Sequence, residues 1–477
     1  MAAIPNDVFF STVAGLNARL VAREFSAEEL ARAFSARLER LGPQYNALAL
    51  ALAQPARKQA AAADKDLKIR RLRGPLQGIP YGVEDLLSAA NHVTTWGAKP
   101  YQSQAFDYDA TVIRKLNSAG AVLMGKLALV ELAGGGGYRS TSASLFGPGL
   151  NPWDRARWSG GSASGPASAV AAGLVTFAIG METSGSIVTP ASYCGVTALR
   201  PTFGLVGRHG AMPLSWTLDK LGPFARSAED CGHILHAISG GDSADAGSAG
   251  KSFYYTPQYA RPLQDLKAGF APVDFADRAD PAARPAFQAA LASLRETGVQ
   301  LVETSLPRFP YGAVLASILR AEEASAFEPL IASAKLQDLA DPAQIAGLRA
   351  ALDIPARDYL KAMRIRRLIQ QAFAKLFAGV DLLVTFGRSG PAPAIDQPVG
   401  RIADAAGSDS ADTGFAGMIQ AGNLAGLPAL VLPCGFAGPL PVALQLVAAP
   451  FAENTLLAVG KEFQARTDWH RRVPPGL

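Results

Sequence analysis

Residues 160–173 read Gly-Gly-Ser-Ala-Ser-Gly-Pro-Ala-Ser-Ala-Val-Ala-Ala-Gly, and residues 180–190 read Gly-Met-Glu-Thr-Ser-Gly-Ser-Ile-Val-Thr-Pro. Each stretch sets a serine, Ser162 or Ser186, among residues too small to shield the backbone. Such flanks let main-chain amides approach a substrate oxygen closely, and successive amides in a turn form the anion-binding nest that an oxyanion hole requires. An isolated Gly-x-Ser would be an ordinary connector; here the first loop runs into an Ala-rich helix over residues 167–173 and a second loop of like composition follows. Neither loop matches the phosphate-cradling patterns Gly-x-x-x-x-Gly-Lys-Ser/Thr or Gly-x-Gly-x-x-Gly.

Outward from these loops, helices and strands alternate. Ser26-Ala27-Glu28-Glu29 is a capping box. Leu30, Phe34, Leu38 and Leu41 follow at helical spacing, and Gly42-Pro43 ends the helix. Thr111–Ser118 reads as a helix and residues 120–124 as the buried strand after it. Phe287, Ala290, Leu291 and Leu294 repeat the arrangement, followed by Gly298 and a strand over residues 299–302. Residues 381–385 and 429–432 are further buried strands. The alternation predicts an α/β layered fold around a largely buried sheet. The Gly/Ser/Ala/Asp stretch 240–251 reads as a surface linker, residues 258–400 are less patterned, and no period of 20–50 residues repeats. Residues 1–477 are read as one α/β body with an inserted helical cap.

Composition narrows the function classes. The chain has 477 residues, 49% hydrophobic and 18% charged, enough apolar content to exclude wholesale disorder. Lys+Arg 45 against Asp+Glu 40 leaves +5, with no block of like charge to make a nucleic-acid footprint. Cys194, Cys231 and Cys434 are odd in number and far apart, so neither a disulfide framework nor a zinc spacing is present. Five dispersed histidines offer no His-x-x-x-His pair, and no metal or other cofactor is expected. Residues 1–10 lack the charged and apolar regions of a signal peptide, and the run 167–181 falls short of a membrane span. A soluble, cytoplasmic protein without membrane or nucleic-acid partners is expected.

Several motifs together resemble the amidase signature family. Residues 74–85 (GPLQGIPYGVED) resemble its opening motif, residues 160–173 its glycine-serine signature, and residues 180–190 its nucleophile loop. Residues 194–202 (CGVTALRPT) match the strand that follows. Residues 204–213, Leu221-Gly222-Pro223, residues 423–435, residues 440–446 and Thr467-Asp468-Trp469-His470 continue in family order. The likeness covers residues 74–232, the signature core, and 420–472, leaving 258–400 as a variable, substrate-determining middle. It implies an α/β/α fold with a mixed central sheet covered by helices on both faces. It also implies a serine-serine-lysine triad that hydrolyses amides. Ser186 matches the nucleophile, Ser162 the bridging serine that follows a cis peptide bond, and the amides of Thr183, Ser184, Gly185 and Ser186 the oxyanion hole.

The pattern breaks where the chemistry is done. Glu84 occupies the lysine position, and Lys126 matches a family lysine outside the triad. Met181, Glu182, Ser184 and Val188 replace the usual Thr, Asp, Gly and Arg, and the change at Val188 is expected to strip Glu182 of its partner. Ala163, Ser164 and Pro166 replace Ser, Gly and Ser, the proline harmlessly in a first helical turn. The preferred reading is a serine hydrolase of small amides or esters, with Glu84 acting through Ser162 as base. A second is an acyl transfer or activated-ester reaction needing less base strength. A third is a pseudoenzyme kept for binding or assembly, and a homo-oligomer or protein partner stays open. The glutaminase subunit of a tRNA amidotransferase shares the fold but needs the full triad, and ranks low. Tyr311, Phe327 and Met363 are pocket candidates against ordinary core packing, and residues 134–137 a loop beside the pocket or a plain connector.

Overall fold

The computed structural model describes residues 4–257, 261–399 and 414–477. Residues 1–3, at the start of the N-terminal stretch, and residues 258–260 and 400 of the variable middle lie outside them. In chain order the first strands are β1 (Leu48–Ala51), β2 (Pro80–Glu84), β3 (Val122–Leu127), β4 (Leu150–Asn151) and β5 (Asp154–Trp158). Then come β6 (Phe177–Glu182), β7 (Thr197–Arg200), β8 (Lys220–Ala225), β9 (Lys267–Phe270) and β10 (Gln300–Glu303). The last are β11 (Leu382–Phe386), β12 (Ala429–Ala437) and β13 (Leu440–Ala448). Eleven of them form one sheet in the order β1-β3-β2-β6-β8-β7-β12-β13-β11-β9-β10, while β4 and β5 make a separate ribbon. The sheet is mixed. The pairs β3–β2, β2–β6, β11–β9 and β9–β10 are parallel, and the others are antiparallel. Helices pack on both faces, giving the expected α/β/α layers.

Local chemistry explains the individual elements. The Ser26 hydroxyl accepts from the Glu29 amide at 3.1 Å and the Glu29 carboxylate accepts from the Ser26 amide at 2.9 Å, so the capping box starts helix Ala27–Leu41. Leu30, Phe34, Leu38 and Leu41 of that helix are buried, as their spacing requires. Helix Ser164–Ala171 is buried at every position. Only Ser, Gly, Pro, Ala and Val occupy it, which lets it lie close against the sheet. Gly165 shows how close: a Cβ there would stand 2.5 Å from the Ala128 amide nitrogen.

Two expectations shift. The strand read over 120–124 runs from Val122 to Leu127: Gly125 does not end it but lets the Leu50 carbonyl approach, and Lys126 beyond it is buried and ion-paired. The middle region is more than a cap: it supplies β9, β10 and β11 to one edge of the sheet besides helices Tyr311–Ala326, Pro342–Ala351 and Ala356–Leu376.

Strand alternation sorts the chemistry by face. Val83 pairs with Lys126 and Glu84 with Leu127. Successive side chains of a strand point to opposite faces, so Glu84 and Lys126 project on opposite sides of the sheet.

Candidate active site

The two glycine-serine loops meet beyond the ends of β2 and β6. The Val130 amide donates to the Ser162 carbonyl at 3.0 Å, and the Ala163 amide to the Ser186 carbonyl at 3.4 Å. The Gly161–Ser162 peptide bond is cis. Gly160 is where the loops touch. Its φ is +91°, and a Cβ there would lie 2.6 Å from the Pro190 Cα, so no other residue fits.

Glu84, at the end of β2, points into this junction and is fully buried. Its Oε1 accepts from the Ser162 hydroxyl at 3.4 Å and its Oε2 from the Met181 amide at 2.7 Å. Gly180 leaves the room it needs, since a Cβ at that position would come within 3.1 Å of Glu84 Oε2. Burial pushes the Glu84 carboxyl up to about 8, against the Met181 amide and the Ser162 hydroxyl, which favour the carboxylate. Lys126 is engaged elsewhere. Its Nζ lies 2.7 Å from Asp85 Oδ1, donates to the Val93 carbonyl at 2.9 Å and is bonded to the Thr94 hydroxyl.

Glu182 keeps a partner despite Val188. Arg200, on β7, reaches its Oε1 at 2.7 Å, and Asn423 Nδ2 donates to the same oxygen at 2.8 Å. Its Oε2 accepts from the amides of Ile187 and Val188 at 2.8 and 3.0 Å, the two residues after Ser186. Burial alone would raise this carboxyl; Arg200, Asn423 and the Val188 amide outweigh it and hold it at about 2. The expected loss of the partner is therefore corrected, because the guanidinium comes from β7, two strands away in the sheet, instead of from the loop. On the other side of the loop, the Thr183 hydroxyl donates to Asp219 at 2.6 Å, and Asp219 also accepts from the amides of Leu214 and Ser215. Among the described residues the amides of Thr183, Ser184, Gly185 and Ser186 donate to no protein acceptor.

The loop opens on a cavity of about 520 Å³ whose wall includes Thr183, Ser184, Gly185 and Ser186. Gly134, Gly136 and Gly137 line it, so the stretch 134–137 lies beside the pocket. The variable middle contributes Leu319, Arg320, Glu323, Ala346 and Arg388. Tyr311, Phe327 and Met363 are not on this wall. Tyr311 bonds the Pro307 carbonyl, Phe327 packs in the core against Trp96, and Met363 lines a separate groove beside Trp216 and Arg366. Tyr138, Trp158, Arg320, Glu323 and Arg388 were not legible as site residues, since no linear spacing connects them to the serine loops. Among the described residues no three His, Cys, Asp or Glu side chains are grouped to hold a metal ion.

The arrangement is a buried carboxyl next to a buried serine, behind a second serine on an open cavity with free amides around it. The family model described as Amidase matches residues 29–457. The chain belongs to the amidase family. It is similar to a glutamyl-tRNA(Gln) amidotransferase subunit of Methylococcus capsulatus (strain ATCC 33009 / NCIMB 11132 / Bath), at 35% identity over 98% of this chain and 99% of that protein. The subunit of the same name from Synechococcus sp. (strain JA-2-3B'a(2-13)) is 36% identical, over 98% of this chain and 94% of its own length. In structure the chain resembles the peptide amidase from Stenotrophomonas maltophilia. The TM-score is 0.82 and the identity 32%, with 98% of each chain covered. This amidase is thus an enzyme acting on amide C–N bonds. No helix among its described residues is long and apolar enough to cross a membrane.

Proposed function

We propose that this amidase cleaves a small amide or ester, or transfers its acyl group, through Ser186, with Ser162 and Glu84 as the proton relay. The observation that carries this reading is the dry setting of Glu84. A glutamate in water is a weak base towards a serine hydroxyl. Lifted by burial from 4.5 to about 8, its carboxylate becomes a base matched to mildly alkaline conditions. Ser186 Oγ attacks the substrate carbonyl, its proton passes to Ser162 Oγ, and the Ser162 proton passes to Glu84 Oε1. The oxyanion is received by the amides of residues 183–186. The same relay run backwards delivers the proton to the departing amine or alcohol, leaving the acyl group on Ser186 for water or another acceptor.

The test is labelling with a serine-directed fluorophosphonate followed by peptide mapping, repeated across pH. Modification at Ser186, absent in Ser186→Ala, and a rate rising about tenfold between about pH 7 and pH 9, then levelling off, support the relay. Glu84→Gln removes the inflection and lowers the rate by roughly 10²–10⁴-fold. A folded wild-type protein that takes no label refutes the reading and leaves the binding-protein alternative. A second reading, as the amide-cleaving component of an amidotransferase, is favoured by the names of the relatives. Glutamine-dependent turnover only in the presence of partner subunits would select it.

A further inference from the structure

Among the described residues the wall of the cavity carries two guanidinium groups, Arg320 and Arg388, and one carboxyl, Glu323. Arg388 follows β11 and is exposed to the cavity. A guanidinium has five N–H donors, yet among the described residues Arg388 makes one long bond, to the Tyr193 hydroxyl at 3.4 Å, and sits 5.9 Å over the Tyr193 ring. No carboxylate among the described residues lies within ion-pair distance of it. Arg320 lies on the same wall, also without an ion pair among the described residues, and the one carboxyl there, Glu323, is turned to the Gly136 amide at 3.0 Å. Burial pushes that carboxyl up to about 7, against the Gly136 amide and Arg320, and even when ionised it balances one of the two guanidinium groups.

Arg388 is also fixed relative to the chemistry. Tyr193 stands on helix Val188–Cys194, which starts directly after the Ser186 loop. Gly387 abuts this helix so closely that a Cβ would collide with the Ser192 hydroxyl. From Tyr193 a run of rings leads back to the serines: Trp158 at 6.4 Å and then Tyr138 at 6.2 Å, centroid to centroid. Trp158 and the Tyr138 hydroxyl both crowd Gly161, within about 3 Å of where its Cβ would be. A cation and a catalytic loop are therefore held at two ends of one aromatic wall.

We infer that Arg388 is a substrate-binding residue for a carboxylate, and that the preferred substrate is an amide or ester carrying a carboxylate separated from the scissile bond by an apolar or aromatic spacer. A planar carboxylate matches the guanidinium fork with two parallel bonds, and the rings cover the spacer between the two ends. The inference rests on the hydrolytic reading of Ser186 for its turnover test but not for its binding test.

Two matched pairs test it: the mono-4-nitrophenyl ester of glutaric acid against 4-nitrophenyl pentanoate, and 4-acetamidobenzoate against 4-methylacetanilide. In at least one pair wild-type kcat/KM favours the carboxylate by roughly 10–100-fold. The preference collapses towards unity in Arg388→Gln and is intermediate in Arg388→Lys. Equal turnover of both members of both pairs by wild type, or a preference that survives Arg388→Gln in a variant with wild-type melting behaviour, overturns the inference. If wild type turns over none of the four, the hydrolytic reading is what has failed. Calorimetry of glutarate and 4-acetamidobenzoate with Ser186→Ala then decides: binding lost in Ser186→Ala/Arg388→Gln upholds the carboxylate site, and no binding to Ser186→Ala overturns it.

Discussion

Replacing Glu84 by glutamine should alter the stability of the protein by an amount that depends on pH. In the fold the carboxyl titrates at about 8, against 4.5 for the same group exposed in the unfolded chain. Below about 4.5 both states hold the proton, and the group makes no difference. Above it the unfolded chain releases the proton while the folded one keeps it, so stability falls with rising pH until the folded carboxyl also ionises. The loss between pH 6 and pH 9 corresponds to about two pK units, or about 3 kcal/mol. Glutamine does not titrate and preserves the contacts, its carbonyl accepting from the Met181 amide and its NH₂ facing Ser162. Glu84→Gln is therefore expected to gain about 2–3 kcal/mol on wild type between pH 6 and pH 9. Urea unfolding of both proteins at the two pH values, followed by tryptophan fluorescence, measures this double difference and cancels every other titrating group. A difference constant within about 0.5 kcal/mol would refute the argument, because it would mean that Glu84 is already ionised at pH 6 in the folded protein.

Arg200→Met leaves the Glu182 carboxylate buried and unpaired, so stability at pH 7 should fall by about 3–5 kcal/mol. Arg200→Met/Glu182→Met should recover part of that loss in the same urea assay. Because the folded Glu182 carboxyl sits near 2, its contribution is present above about 4.5 and is lost as pH drops through about 2. Lys126→Met breaks the buried pair with Asp85 and should cost a similar 3–5 kcal/mol. The rate of Ser186 labelling per folded molecule should nevertheless stay within about twofold of wild type, since the relay lies on the opposite face of the sheet from Lys126. A hundredfold fall in that rate would instead put Lys126 in the relay.

What could be read along the chain depended on how far each interaction reaches. The Ser26–Glu29 box and helix Thr111–Ser118 are local, and both lie where spacing and capping put them. The strand through Lys126 was cut short at Gly125, which is there for the close approach of the Leu50 carbonyl, and Lys126 beyond it is satisfied by Asp85, forty-one positions earlier. Strands β10 and β11 lie within a residue of where their apolar runs put them, whereas β9, four residues long with an exposed start, gave no pattern to read. Glu182 and Arg200 were both visible as residues, but their pairing depends on distant strands meeting. Arg388 carries no signal at all in one dimension; its place beside the cavity comes from Tyr193 beneath it, on the helix that follows the Ser186 loop.

Glu84 shows the same limit at a single side chain. The sequence reveals that a carboxyl stands where the family pattern has a lysine, which looks like a reversal of charge. Burial removes most of that contrast, because desolvation favours the neutral form of either group. A neutral lysine and a protonated glutamic acid fit the same dry junction between Ser162 and the end of β6. What differs is the work available at rest. A neutral amine is already a base, whereas a neutral carboxyl must first lose its proton, and with its carboxyl at about 8 only about one molecule in eleven has done so at pH 7. In the proposed relay the substitution keeps a proton acceptor beside Ser162 and moves the working range upward in pH. An enzyme of this design should therefore be slow at neutrality and recover on the alkaline side, while a decayed site should be slow at both.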